Sequence, residues 1–395
     1  MIKMNIVFKT ISYSILLFFC CISLHSKDNE DDEMRRKIDS LYQFEEIINI
    51  ENTEVKNQNR TGTCWTFAGN SFIESELLRE GKGNIDLSEM FIVRNIYPEK
   101  ADLYVRYHGT TQFGEGALTH DVMRSIEKYG VVPESVYSTR PSNGYLNHAE
   151  MSGILEDMIK RVVATDPLNR TTKWKKAFEA ILDVYMGSVP KKFVVEGKEY
   201  TPITYREYLG IDTKQFVDIT SFTHHPFYEK FVLEVPDNFT RGDFFNVPID
   251  EMLEITEKAL ENGYSVDWGA DVSEPSFESK YGLAINPKDM KEMIRNKDEI
   301  KWDSIYKELD ITQEERQEDF DNYLTQDDHG MHIVGIVKDK LDRKYFVVKN
   351  SWGTEKRGHD GYLYVSYSYF MHKTTSITLN KNGIPALFKN KIKLN

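Results

Sequence analysis

The stretch Asn59–Phe67, "NRTGTCWTF", contains Cys64, and the reading of the whole chain turns on what that residue is for. The other two cysteines, Cys20 and Cys21, lie in the first 21 residues, so Cys64 stands alone in everything that follows. A thiol left over in an exported chain calls for an explanation beyond packing. Downstream, "WTFAGNSFIESELLRE" (65–80) sets Ala68, Phe72, Ile73, Leu77 and Leu78 near helical spacing, with Gly81 as a closing residue. Cys64 is therefore expected at a helix N-terminus, where the positive end of the helix dipole favours thiolate.

The 395 residues are 40% hydrophobic and 12% aromatic, enough for a large core spread over two or three lobes. The net charge of −13 argues against non-specific nucleic-acid binding, which needs a basic face to displace counterions. The N-terminus has a basic start (Lys3, Lys9), an apolar run from Ile11 to Leu24, and a small residue, Ser26, before the polar "KDNEDDE". That pattern reads as an export signal over residues 1–26, the apolar run being too short for a bilayer span. A lipid anchor at Cys20 or Cys21 is the alternative, so the expected location is periplasmic, extracellular or membrane-anchored. Residues 27–45 form a polar N-terminal segment, of which Lys27 to Arg36 reads as mobile.

Further along, "EGALTHDVMRSIEKYG" (115–130) reads as a second helix closed by Gly130, and "VVPESVY" as an extended segment. Met151 to Phe193 is charged and helical. "FVVEGKEYTPITYREYLG" reads as a hairpin and a short helix, "KFVLEVP" as a strand, and "NVPIDEMLEITEKALENG" as a helix between Pro248 and Gly263. Asn286 to Phe320 reads as mostly helical, and "HIVGIVK", "KYFVVKN" and "GYLYVSY" as three late strands. Helices first and strands last give an α+β class with segregated lobes.

A nucleophilic thiol needs a base, an orienting group for the base, and donors for an oxyanion. His329 and His332 in "TQDDHGMHIVGIV" are the base candidates, Asn350 ends a strand in "VVKNSWG", and Gln58 lies six residues before Cys64. Taken one at a time, each is more often an inert cysteine, a satisfied polar histidine or a turn former. Together, "NQNRTGTCWTFA", "DDHGMHIVG" and "KNSWG" resemble the papain-like cysteine peptidases. The resemblance implies Cys64 as nucleophile, His329 as base, Asn350 as its orienter and Gln58 as an oxyanion donor. Trp65 follows the nucleophile, and Trp352 would shield the His–Asn bond. His329, six residues before Gly335, keeps the family spacing, and His332 does not.

Two departures narrow the branch. Thr61 replaces the first cysteine of the papain-type signature, and His329 and Asn350 lie far beyond the roughly 130–150 residues that separate them from the nucleophile in that type. The long spacing resembles the bleomycin hydrolase and aminopeptidase C group. "IEKYGVVPESVY", "YLGIDTKQFVDIT", "FNVPIDEML", "GYSVDWGADVS" and "DITQEERQEDF" resemble its segments in the right order. The short stretch between Ser26 and Gln58 also suits a group without a folded inhibitory propeptide. The implied architecture is a papain-like two-lobe fold. It has a helical lobe with the nucleophile (46–150), an insertion between Cys and His (151–300), and a β-rich lobe with His, Asn and the tail (301–395).

The implied activity is peptide hydrolysis through an acyl-enzyme, without cofactor or metal. Peptides are the implied partners, and a homo-hexamer is the assembly that the branch suggests. Gly116-Ala117 stands where the family has a Gly-Gly pair that bonds substrate backbone. The branch also has a C-terminal arm whose carboxylate selects free N-termini. The branch implies an aminopeptidase acting on short peptides, but the tail here, "NKNGIPALFKNKIKLN", is basic and lacks that group's motif, so endopeptidase action stays as the alternative, and a reach of Asn395 into the cleft stays open. A non-catalytic peptide-binding protein is the alternative from a different class. His224-His225 before Pro226 lack a chelating set as adjacent residues and read as a loop.

Overall fold

The computed structural model describes residues 30–394. The export-signal segment, Cys20, Cys21 and Asn395 lie outside these residues. Among the described residues no helix is long and apolar enough to cross a membrane.

Helices, in chain order, are α1 (30–42), α2 (Cys64–Arg79), α3 (Glu89–Arg106), α4 (Thr119–Tyr129), α5 (Ala149–Ala164), α6 (Lys173–Met186), α7 (Pro202–Leu209), α8 (Ile249–Glu261), α9 (Met290–Asn296), α10 (Gln313–Asp321), α11 (Tyr367–Lys373) and α12 (Ala386–Lys391). Strands are β1 (Glu45–Asn49), the hairpin β2 (Phe193–Val195) and β3 (Lys198–Tyr200), β4 (Phe216–Thr220), β5 (Lys230–Val232), β6 (Asp243–Asn246), β7 (Val266–Ala270), β8 (Phe277–Glu278), β9 (Leu283–Ala284), β10 (His329–Lys338), β11 (Lys344–Lys349), β12 (Tyr362–Ser366) and β13 (Thr374–Asn380). The class is α+β, as expected.

Two cores define two lobes. The first joins Trp65, Phe67 and Phe72 of α2 with Phe91 and Tyr97 of α3, Val122 and Ile126 of α4, Leu155 of α5, Phe178 of α6 and Tyr205 of α7. The second lies on a large sheet of strand order β5-β6-β4-β13-β7-β10-β11-β12-β9-β8, with β1 added along β10. Residues 151–300, read as an insertion, are therefore shared out. Their first part completes the helical core, and β4 to β9 are built into the sheet. β7 lies between β13 and β10 and pairs with both, placing mid-chain residues beside the strand that starts at His329.

α2 runs between the lobes, and nearly all its faces are covered. Its buried polar residues are therefore bonded, as burial demands. Asn70 Nδ2 donates to the Leu87 carbonyl (3.2 Å), and Ser71 Oγ meets His332 Nδ1 (2.9 Å). Glu74 accepts from Thr53 Oγ1 (2.6 Å) and the Leu87 N–H (2.9 Å), and Glu76 from Asn380 Nδ2 (2.6 Å). Gly335 has a physical reason too. A Cβ there would sit 2.3 Å from the Ile48 carbonyl oxygen, so β1 could not pair with β10 at that point.

Several expectations are corrected. Residues 30–42 are helical rather than mobile, with Ile38 and Tyr42 buried against Leu283 and Tyr345. The second helix starts at Thr119, which leaves Gly116 and Ala117 in the loop before it. Pro133–Tyr137 is a turn, closed by the Val136 N–H on the Pro133 carbonyl (2.9 Å). Asn286 to Phe320 is helical only in α9 and α10, because Trp302, Ile305 and Tyr306 are drawn into the cluster around Ile38.

Candidate active site

Cys64 is the first residue of α2. The N-cap residue Thr63 makes no side-chain cap and no acidic residue occupies the first turn, so the positive end of the dipole is left for the thiol. The Gly330 N–H donates to Cys64 Sγ at 3.5 Å, which joins the start of α2 to the start of β10. Burial pushes the thiol up to about 12, against the pull of the Gly330 and Trp65 N–H groups, and the carboxylates of Asp327 and Asp237 push the same way as burial.

His329 opens β10 and Asn350 directly follows β11, its antiparallel neighbour, so the two side chains meet at one end of the sheet. His329 Nε2 bonds Asn350 Oδ1 at 2.8 Å, which leaves Nδ1 for the thiol. The Trp352 ring lies 4.8 Å from the imidazole, tilted by 33°, and covers that bond. Burial brings His329 down to about 4, although the Asn350 bond favours the charged form. His332, three residues on, is also fully buried, but it bonds Ser71 rather than Asn350.

Gln58 is tied to the same turn. Its N–H donates to the Ser351 carbonyl (2.8 Å), and the Gly353 N–H donates to the Lys56 carbonyl (3.0 Å), so residues 56–58 zip along "NSWG". Its side chain is held at both ends. Oε1 accepts from Ser351 Oγ (2.5 Å), and Nε2 donates to the Thr61 carbonyl (2.7 Å). An amide nitrogen has two hydrogens, so one remains.

The loop before α4 is fastened by Trp65 Nε1 on the Glu115 carbonyl (2.9 Å), by the Gly62 N–H on Glu115 Oε2 (2.7 Å), and by Lys100 Nζ on the Gly116 carbonyl. Ala117 is buried in the helical core. Gly116 faces the carboxylate of Asp237, which sequence reasoning did not single out. Neither did that reasoning single out Asp327, two residues before His329 in the quoted "DDHGM". Asp327 carried a signal by adjacency to the histidine. Asp237, in "EVPDNFTRGD", carried none.

His224 and His225 do have a third partner. Both Nε2 atoms reach Glu234, at 3.1 and 2.9 Å, and the ligand atoms of the three lie within 4.8 Å of one another. Among the described residues this is the set that could hold a metal ion, and it consists of partly exposed groups already bonded to each other. The tail packs elsewhere. Phe388 and Ile392 are buried in the β-lobe core, and Lys391 pairs with Glu251 of α8 at 2.7 Å.

Residues 99–395 match the model of the peptidase C1-like family. The chain belongs to that family. Within it, this peptidase is 24% identical over 370 residues to aminopeptidase G of Lactobacillus delbrueckii subsp. lactis, covering 83% of this chain and 80% of that one. It is 23% identical over 402 residues to bleomycin hydrolase of Gallus gallus, covering 88% and 84%. Its fold superposes on the crystal structure of pepw from Lactobacillus rhamnosis HN001 with a TM-score of 0.71, at 20% identity, over 88% of this chain and 84% of that one. It is thus a papain-like cysteine peptidase of the bleomycin hydrolase and aminopeptidase C branch.

Proposed function

We propose that this peptidase is an exported aminopeptidase acting on short peptides through Cys64, His329, Asn350 and Gln58. The observation that carries the reading is the bond of the Gly330 N–H to Cys64 Sγ (3.5 Å), which joins the thiol to the strand that His329 opens, at the sheet end where Asn350 and the Gln58 amide are fastened. His329 is held by Asn350 through Nε2, and Gln58 is held by Ser351 and Thr61 with one amide hydrogen to spare. The names of relatives such as aminopeptidase G and aminopeptidase C support the exopeptidase choice.

In the reaction the Cys64 proton passes to His329 Nδ1 as sulfur attacks the carbonyl carbon. Burial penalises thiolate and imidazolium when each is charged alone. Here one proton transfer creates both charges side by side, and their mutual attraction offsets part of that penalty. The tetrahedral oxygen takes the free Gln58 hydrogen and the Cys64 backbone N–H. His329 then gives its proton to the amine nitrogen, the C–N bond breaks and the amine leaves. Water attacks the thioester and loses a proton to His329. Collapse expels the sulfur, which recovers that proton, and the acid departs. Asn350 keeps the ring in the tautomer that this sequence needs, and Trp352 keeps water off the bond.

The test is cleavage of an unblocked aminoacyl-coumarin against its N-acetylated twin. Preference for the free amine is expected, with loss of all cleavage in Cys64→Ala or after iodoacetamide. Activity that survives Cys64→Ala overturns the mechanism. Endopeptidase action is the second reading, favoured by the docking of residues 386–394 on α8 rather than beside Cys64. Cleavage within blocked peptides would select it. Export rests on the basic and apolar pattern of residues 1–26, and fractionation of cells with N-terminal sequencing of the mature protein tests it. Palmitate labelling tests the lipid anchor at Cys20 or Cys21, and sedimentation tests the hexamer.

A further inference from the structure

An aminopeptidase must recognise a cationic amine one residue upstream of the bond it cuts and must close the cleft beyond it. Two carboxylates from different parts of the chain, Asp327 and Asp237, bear on the Cys64 thiol. Asp327 comes from the turn leading into β10. Asp237 comes from the turn between β5 and β6, in the segment that lengthens this branch.

Three observations make these more than an acidic surface. First, Asp237 fills the space where Gly116 lacks a side chain. A Cβ on Gly116 would lie 1.9 Å from Asp237 Oδ2, 2.4 Å from Cγ and 2.6 Å from Oδ1. The chain therefore admits the carboxylate only because residue 116 is glycine, and it seats it on the loop expected to line the substrate backbone. Second, Asp327 Oδ2 is wholly buried and has no hydrogen-bond partner. Such an acceptor is costly to leave unmade and is satisfied when a donor arrives. Third, among the described residues no cation neutralises the pair by contact. Asp237 accepts a hydrogen bond from Gln112 Nε2 (3.2 Å), and the buried Lys100, which favours its ionised form from a distance, spends its ammonium on the Gly116 carbonyl. Burial holds both carboxyls above the usual carboxylate range, with Asp121 repelling Asp237 and Asp237 repelling Asp327, which an arriving cation would reverse.

We propose that Asp237, assisted by Asp327, binds the α-ammonium group of the substrate and blocks the cleft beyond it at Gly116. The proposal rests on the aminopeptidase reading and supplies its specificity device from within the chain. Asp237 is a specificity-determining residue, outside the bond-breaking machinery.

Asp237→Asn tests the charge without changing the shape, and Asp237→Ala tests the block. Each is assayed on the unblocked aminoacyl-coumarin and its N-acetylated twin, with stoichiometric iodoacetamide labelling of Cys64 as the check that the site is folded. In Asp237→Asn we expect kcat/KM for the free amine to fall about 10- to 100-fold, mainly through KM, with the acetylated twin unchanged, so that the preference collapses. In Asp237→Ala the acetylated twin is expected to gain. Asp327→Asn is expected to act like Asp237→Asn, more weakly. A wild-type preference that persists in Asp237→Asn overturns the proposal, and collapse confined to Asp237→Ala reduces Asp237 to a steric plug and overturns it too. If the wild-type enzyme itself shows no preference, the aminopeptidase reading fails first, an outcome visible before any variant is made.

Discussion

Gly116→Ala is a small change with a large expected consequence. A methyl group there would lie 1.9 Å from Asp237 Oδ2, whereas unstrained contacts lie at about 3.5 Å, so the carboxylate must retreat by about 1.5 Å. It is the free end of a short side chain, held by the Gln112 bond, so it can rotate away at a cost to stability of about 1 kcal/mol. The loss to substrate binding is larger. Moving an ammonium–carboxylate contact from about 3 to about 4.5 Å, at an effective dielectric constant of about 20, removes about 2 kcal/mol, or roughly 30-fold in kcat/KM. The assay is the ratio of kcat/KM for the free and acetylated substrates, with urea unfolding as the control. The ratio is expected to fall by that factor while the unfolding midpoint barely moves. Because both substitutions remove the same contact, Gly116→Ala combined with Asp237→Asn should cost no more than the worse of the two. An unchanged ratio in Gly116→Ala, or two losses that multiply in the double variant, would refute the reasoning.

Three further outcomes are expected. Gln58→Ala should lower kcat about 100- to 1000-fold with little change in KM, and Ser351→Ala, which frees Gln58 Oε1, about 10-fold; equal kcat values in wild type and Gln58→Ala would remove the amide from the oxyanion site. Because burial lowers His329 to about 4, the neutral base persists as pH falls and activity should be lost only on passing through that value. Trp352→Ala, which admits water to the ring, should move this acid limb up toward the ordinary histidine range, as a pH profile of kcat/KM would show. Lys56 meets Glu74 (3.4 Å), Asp86 (2.6 Å) and Glu89 (2.7 Å), so Lys56→Met leaves two buried carboxylates unpaired. It should cost about 3 kcal/mol or more in urea unfolding; a loss below about 1 kcal/mol would show the cluster to be immaterial.

The placement of the proposed site residues was legible because their positions restrict their neighbours. A cysteine at a helix start, a histidine six residues before the glycine that β1 crosses, and an asparagine at a strand end leave a trace in sequence. Local pattern also served where local forces decide, as in the hairpin Phe193–Tyr200 and the helix Pro202–Leu209 with its capping box at Thr201. It failed where distant packing decides. Residues 297–312 have a charged, helix-compatible composition, yet Glu308 Oε2 accepts from the Asn286 N–H at 3.1 Å and Pro287 bridges Glu308, which holds them extended and looped. In residues 30–42 the apolar positions Met34, Ile38, Leu41 and Tyr42 do keep helical spacing, but the surrounding charges masked it. Asp237 was invisible for another reason. Its meaning comes from the absent side chain of Gly116, and nothing in the sequence joins those two positions.

The bond from the Gly330 N–H to Cys64 Sγ spans 266 residues, and the strand that carries it is wedged against β7 and β1. A ribosome adding roughly 5–20 residues per second needs on the order of 10 to 50 s to travel that far after the thiol is made. During that interval the nascent chain carries α2 without the strand whose first residues meet Cys64. A chain terminated before Gly330 therefore never acquires this contact, and the start of α2 stays without the strand that meets it.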